Sequence, residues 1–326
     1  MNTSRTPLID VHAHFLTPRY VEAAQDAGHT RPDGMAAWPT WHPERHLELM
    51  DEWGIATSLL SISSPGTHFG DDRAARTLSR HVNETGADLK RRHPARFGHF
   101  ASLPLPDVDA ALDELAYAMD QLGSDGVTLK TNAHGVYLGD ARFEPLLAEL
   151  HRRRTPVFVH PTSPPHFEAV SLGRPRPMLE FIFDSTRTVS DLVFNHRLEQ
   201  YPDIEWIFTH GAGALPLLTQ RMELFRNVFA TDTQTTSADT ETEPVPQQVS
   251  CLWFDIAGTP FPHQLPALSA AFGTDRILYG SDYCFTPAAG TAAQVASLDE
   301  APQPAGSTWR ALTTCNARRL FPRLGA

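Results

Sequence analysis

The chain has 326 residues, 41% hydrophobic and 20% charged, with a net charge of −11. That composition provides a sizeable core and carries no signature of disorder, and its acidic balance argues against nucleic acid, which needs a concentrated basic face. Cys251, Cys284 and Cys315 are odd in number and far apart, which argues against a disulfide framework; with no apolar leader segment and no run of ~18 apolar residues, a cytoplasmic protein without a membrane span is expected.

In chain order, short apolar runs predict strands over 8–14 (LIDVHAH), 58–63, 97–103, 126–131, 156–161 (PVFVHP), 204–210 (IEWIFTH), 252–257 and 276–282 (RILYGSD). Several are continuously hydrophobic, as parallel strands covered on both faces are. Amphipathic segments lie between them. Residues 43–54 place Leu47, Met50 and Trp53 on one face and end in a glycine. Residues 107–123 carry Val108, Leu112, Leu115, Met119 and Leu122 at helical spacing, with Asp107 as N-cap and Gly123 as stop. Residues 140–154 end in three arginines, which suit the negative end of a helix dipole. Eight strands alternating with helices predict a (β/α)8 TIM barrel, distorted by a long insertion after strand one (15–42), with residues 1–326 forming one domain. The polar stretch 231–248 is expected to be a mobile surface connection. Residues 286–307, rich in Ala, Pro and Gly, also fall outside the repeat.

Sixteen histidines are present, and their positions matter more than their number. His12 and His14, at i and i+2 on strand one, point to the same face. His160 ends strand five, His210 ends strand six and Asp282 ends strand eight. In a closed parallel barrel all strand C-termini share one rim, so these five residues are expected to converge there. Imidazole and carboxylate are costly at the end of an apolar strand unless paired or ligated.

The motifs DVHAHF, VFVHP, FTHGAGALP and LYGSDYCF, in this order, resemble the amidohydrolase superfamily, from Leu8 to Phe285. Within it they resemble the decarboxylase branch typified by aminocarboxymuconate-semialdehyde decarboxylase. The stretches TNAHGVYLGD, SISSPG and HPTSPP are more similar to 6-methylsalicylate decarboxylases. The resemblance implies that His12, His14, His160 and Asp282 ligate one divalent metal ion, zinc or manganese, with no organic cofactor. It implies that His210 activates water or moves protons, and that Phe285 walls an aromatic pocket. The implied reaction is non-oxidative decarboxylation of a small aromatic hydroxy acid, 6-methylsalicylate or a similar ortho-hydroxybenzoate, with Asp282 or His210 delivering the proton. A homodimer is also implied.

Two departures accompany this resemblance. The arginine that binds the substrate carboxylate in the muconate-semialdehyde enzyme has no counterpart around Trp38, Trp41 and Arg45. The glutamate that dihydroxybenzoate members carry three residues after the strand-six histidine is replaced by Gly213. The alternative is a metal-dependent hydrolase of a lactone or amide, for which Lys130, ending strand four, would carry a bridging modification between two metals. A binding protein for an aromatic acid is the non-enzymatic rival. Lys130, His134, Tyr137 and Arg221 complete the candidate substrate contacts.

Overall fold

A computed structural model describes residues 5–229 and 243–324. Eight parallel strands form one sheet in chain order: β1 (Leu8–His14), β2 (Ile55–Ser61), β3 (Phe97–Ser102), β4 (Gly126–Lys130), β5 (Pro156–His160), β6 (Glu205–Phe208), β7 (Trp253–Asp255) and β8 (Ile277–Leu278). The sheet curls until its ends meet. Asp10 pairs with Tyr279 and Ala13 with Tyr283, and the Asp282 N–H donates to the His12 carbonyl at 2.8 Å. Helices lie between the strands, so this is a nearly closed (β/α)8 barrel.

The interior shows why the chemistry sits at one end. Ile9, Val11, Leu59, Phe100, Phe158, Ile207, Trp253 and Leu278 form one cluster. Seven strands contribute to it, and side chains from so many strands meet only on the barrel axis. Ala317, Phe321 and Leu324, from the C-terminal helix and the turn after it, join the same cluster. Burial of these side chains closes that half of the barrel. Between Asp10 and Ala13 the register of β1 against β2 shifts. Ile9, before the shift, and Val11, within it, face the interior; beyond it Ala13 packs in the outer layer, and His12 and His14 turn to the axis. An irregularity of this kind re-aims side chains at a strand end.

Helix limits follow local chemistry. In α1 (Pro43–Trp53) proline occupies the first turn and Gly54 caps the end at φ 68°. Asp107 caps α2 (Val108–Asp120), accepting from the Ala110 N–H at 3.1 Å. The segment expected over 140–154 begins instead with a 3-10 turn capped by Asp140 and becomes α3 (Glu144–Arg153). Strand two starts three residues earlier than expected, directly after Gly54. Strand eight is shorter than 276–282: beyond Leu278 only the isolated bridge of Tyr279 to Asp10 continues the pairing before the chain reaches Asp282, at φ 56°. The expected connection over 231–248 lies largely outside the described residues, but its end is helical, Val245–Ser250. Within 286–307, Ala288–Glu300 forms a helix that buries Thr291, Gln294, Val295 and Leu298. Among the described residues no helix is long and apolar enough to cross a membrane.

Candidate metal centre and adjoining cavity

His12, His14, His160 and Asp282 meet at the mouth, with one potential ligand atom from each within 4.8 Å of all the others. The Nε2 atoms of His12 and His14 are 3.1 Å apart, and they stand 3.3 and 3.1 Å from Asp282 Oδ1. The three histidines are buried. Each has its Nδ1 against an acceptor: Asp255 Oδ2 at 2.9 Å for His12, the Ser61 carbonyl at 3.2 Å for His14 and the Pro161 carbonyl at 2.7 Å for His160. An Nδ1–H donated outward leaves the Nε2 lone pair facing the centre, as in metal-ligating histidines.

These contacts leave an electrostatic demand at the centre. Two lone pairs 3.1 Å apart repel, and Asp282 Oδ1 is a buried oxygen without a hydrogen-bond partner. Burial alone would depress the His12 imidazolium, yet the carboxylates of Asp255 and Asp282 lift it to about 10. Burial drives His14 the other way, to about 4. The group therefore calls for positive charge beside two carboxylates, and a divalent cation supplies it while the imidazoles stay neutral. Three nitrogens and one oxygen suit zinc or manganese.

Asp255, which the strand pattern alone did not single out, organises this group. It follows the apolar pair Trp253–Phe254 at the end of β7, the same signal that marks Asp282. One carboxylate oxygen faces His12 Nδ1. The other accepts from the backbone N–H groups of His210 and Ala257 at 2.9 and 3.0 Å. Burial would raise this carboxyl, but the neighbouring His12 holds it below its ordinary range. His210 is set by that bond and by a 3.0 Å contact between its Nδ1 and Thr209 Oγ1; its Nε2 lies 3.6 Å from Asp282 Oδ2. The turn beyond it has no room at Gly213. A Cβ there would fall 2.0 Å from the Ile182 carbonyl, and φ is +67°. No glutamate can occupy that position, so the departure from the dihydroxybenzoate pattern is dictated by the backbone.

A cavity of about 430 Å3 adjoins the cluster. None of the four clustered side chains lines it. It begins where their strands end, at Lys130, the pairing partner of His160, and at Thr162, and it extends under the insertion after β1 to Asp33 and Arg176. Lys130 Nζ donates to the Ile62 carbonyl at 2.7 Å, and burial lowers the amine to about 7 against the opposing pull of Asp33.

The remaining candidates are dispersed. His134 lines the cavity with φ 51° and contacts His68, which is in turn held by Asp72, both at 2.8 Å. Phe285 stands edge-on to His14, with 5.5 Å between ring centroids, and also contacts Trp38. The Tyr137 hydroxyl donates to Asp184 at 2.6 Å and does not line the cavity. Arg221 is exposed and stacks on Phe225. Arg45 pairs with Glu48 at the surface, and Trp41 donates to His46. Asp33, Ser163 and Arg176 carried no sequence signal, because only the fold brings the insertion against the segment after β5.

Comparison with known proteins agrees with this architecture. The 6-methylsalicylic acid decarboxylase acuB of Aspergillus aculeatus is 35% identical over 322 residues, spanning 97% of this chain and 96% of that protein. A crystal structure described as an amidohydrolase II is 32% identical and superposes with a TM-score of 0.88, covering 97% of this chain and 99% of that one. A dihydroxybenzoic acid decarboxylase of Polaromonas, crystallised with bound manganese and 2-nitroresorcinol, shares the fold at a TM-score of 0.81 and 22% identity, over 97% of both chains. The amidohydrolase family model matches residues 9–323, and the chain belongs to that family.

Proposed function

We propose that the protein is a metal-dependent, non-oxidative decarboxylase of a small aromatic hydroxy acid, 6-methylsalicylate or a similar ortho-hydroxybenzoate. The observation that carries this reading is the four-residue cluster with Asp282 shared between it and His210, in a chain 35% identical over nearly its full length to a 6-methylsalicylic acid decarboxylase. His12, His14, His160 and Asp282 hold one divalent ion. When bound, it supplies a Lewis-acid charge for the phenolic and carboxylate oxygens of the acid. No organic cofactor takes part.

The chain's own residues do the rest. Loss of CO2 needs a proton at the ring carbon that bears the carboxyl. Protonation there breaks aromaticity, and departure of CO2 restores it. Asp282 Oδ2 and His210 Nε2 form the pair that holds this proton and delivers it. Phe285, against His14, forms an apolar wall for the ring. Lys130, at the boundary between cluster and cavity, carries a cationic donor to the acid's anionic edge.

Manganese bound in the Polaromonas relative makes it the first ion to test, with zinc second. We place the protein in the cytoplasm, where its three free cysteines stay reduced. Leu217, Leu224 and Val228, exposed along the helix that carries Arg221 (Leu215–Phe229), support a homodimer through that face. The test is metal analysis combined with CO2 release across a panel of ortho-hydroxybenzoates. One ion per chain is expected, with release that stops on chelation and returns with manganese or zinc. Two ions per chain, with hydrolysis of a lactone or amide and no CO2 release, would replace this reading with a hydrolase.

A further inference from the structure

The cavity is larger than a methylated salicylate requires. No clustered side chain lines the cavity, so with the acid's phenol and carboxyl on the cluster it is the group at ring position 6, beside the carboxyl, that extends into it. A methyl group is about the size of a water, roughly 30 Å3 of liquid volume, and leaves most of the 430 Å3 empty. Near the barrel the walls are apolar, with Leu103, Leu105 and Leu129. Lys130 stands at the same inner end, and farther out Arg31 and Arg176 face the single carboxylate of Asp33 among the lining residues. In a chain of net charge −11 this is a local excess of positive charge, and such a field selects an anion.

Arg176 is the best-held of these cations. Its Nε donates to Ser163 Oγ at 3.0 Å, and that hydroxyl donates to Asp33 Oδ1 at 2.6 Å. The guanidinium stacks over the Phe167 ring at 4.3 Å. Gly34 admits it, since a Cβ at that position would stand 2.4 Å from Nη1. The side chain is half-buried and lines the cavity. Among the described residues no carboxylate forms an ion pair with it, and its two terminal nitrogens make no hydrogen bond, whereas Arg153, Arg187 and Arg310 each hold a carboxylate within 2.7 Å. A positioned, partly desolvated guanidinium with free donors is a carboxylate receptor.

We propose that this cavity is a subsite for a carboxylate-bearing ring substituent and that Arg176 is the residue that reads it. Resting on the decarboxylase reading, the substrate class is then the ortho-hydroxybenzoates that carry a second carboxylate on a short chain at the ring position of the methyl group of 6-methylsalicylate. Ser163 and Asp33 act through Arg176 and are positioning residues.

The experiment compares kcat/KM for 6-methylsalicylate and for its 6-carboxymethyl analogue in the wild type, Arg176→Gln, Arg176→Lys and Ser163→Ala. The wild type is expected to favour the dicarboxylic acid. Arg176→Gln should lower the ratio of the two kcat/KM values by roughly 10- to 100-fold, the scale of a charge-assisted hydrogen bond, mainly through KM. Arg176→Lys keeps the charge without the planar fork and should fall between. Ser163→Ala, which leaves the arginine in place, should lower the ratio several-fold. A ratio within twofold of the wild type in Arg176→Gln, or a wild type that favours the methyl acid, overturns the proposal. Isothermal titration calorimetry with 2-(carboxymethyl)benzoate needs no turnover and separates this proposal from the reaction. Saturable binding that Arg176→Gln abolishes supports the subsite even if neither acid releases CO2; absence of binding to the wild type overturns it.

Discussion

The two halves of the barrel mouth are built differently. On one side, the clustered side chains come from strand ends or the residues just after them, are mostly buried, and have their outward nitrogens tied to Asp255, Ser61 and Pro161. On the other, the ends of β3 and β4 supply only the inner wall of the cavity, and its outer wall is made of loops and the insertion after β1, where Arg31 is exposed and Arg176 half-buried. Strand ends are fixed by the ladder and vary little in position; loops change without disturbing it. On the proposed reading, the reaction type belongs to the first side and the choice of acid to the second.

The largest break in that comparison comes from His210. It touches Asp282 but is not one of the four clustered side chains. His210→Ala should lower kcat by about 10²- to 10⁴-fold, the usual contribution of a positioned proton donor, while metal content stays at the wild-type level. Turnover near normal would remove His210 from the reaction, and loss of the metal would make it a structural part of the cluster. Next in size is Asp255→Asn. The amide keeps the shape but gives up the charge that orients His12 and accepts from the His210 backbone. Metal affinity or activity should fall about 10- to 100-fold, and titration of the apoprotein with manganese distinguishes the two.

The contrast between the two halves also explains what could be read before the fold was known. The barrel and the convergence of His12, His14, His160, His210 and Asp282 were legible because residues at strand ends carry their own position: a polar group straight after an apolar run marks the rim. Asp255 carries the same mark but sits in WFDIA without a histidine beside it, so the pattern of histidines at strand ends does not reach it. The cavity was not legible. Asp33, Ser163 and Arg176 lie on segments with no periodicity, and their meeting depends on how the insertion after β1 folds back over the mouth. Trp41, in the same insertion, and Arg45, in the helix that follows it, turn to His46 and Glu48. Strand two was placed too late because Ile55 follows the Gly54 cap without a loop.

Lys130 sits on the seam between the halves and gives the smallest effect. Burial lowers its amine to about 7, from 10.5 in the unfolded chain. Between those values the unfolded state holds a proton that the folded state has lost, so unfolding takes up a proton and stability rises with pH. The gain is at most about 1.4 kcal/mol per pH unit for one proton, and less here because water in the cavity screens a half-buried amine. Lys130→Met removes the group from both states. Its unfolding free energy by urea denaturation, subtracted from that of the wild type at each pH, should give a difference that climbs in favour of the wild type from pH 7 to 9. The same substitution should raise KM for the acid about tenfold below pH 7, where the wild-type amine is charged, and progressively less above it. A flat stability difference with no KM effect would mean that the amine is solvated and belongs to neither half. A flat stability difference with a pH-independent KM effect would place it with the loops, as a surface charge that steers the acid inward.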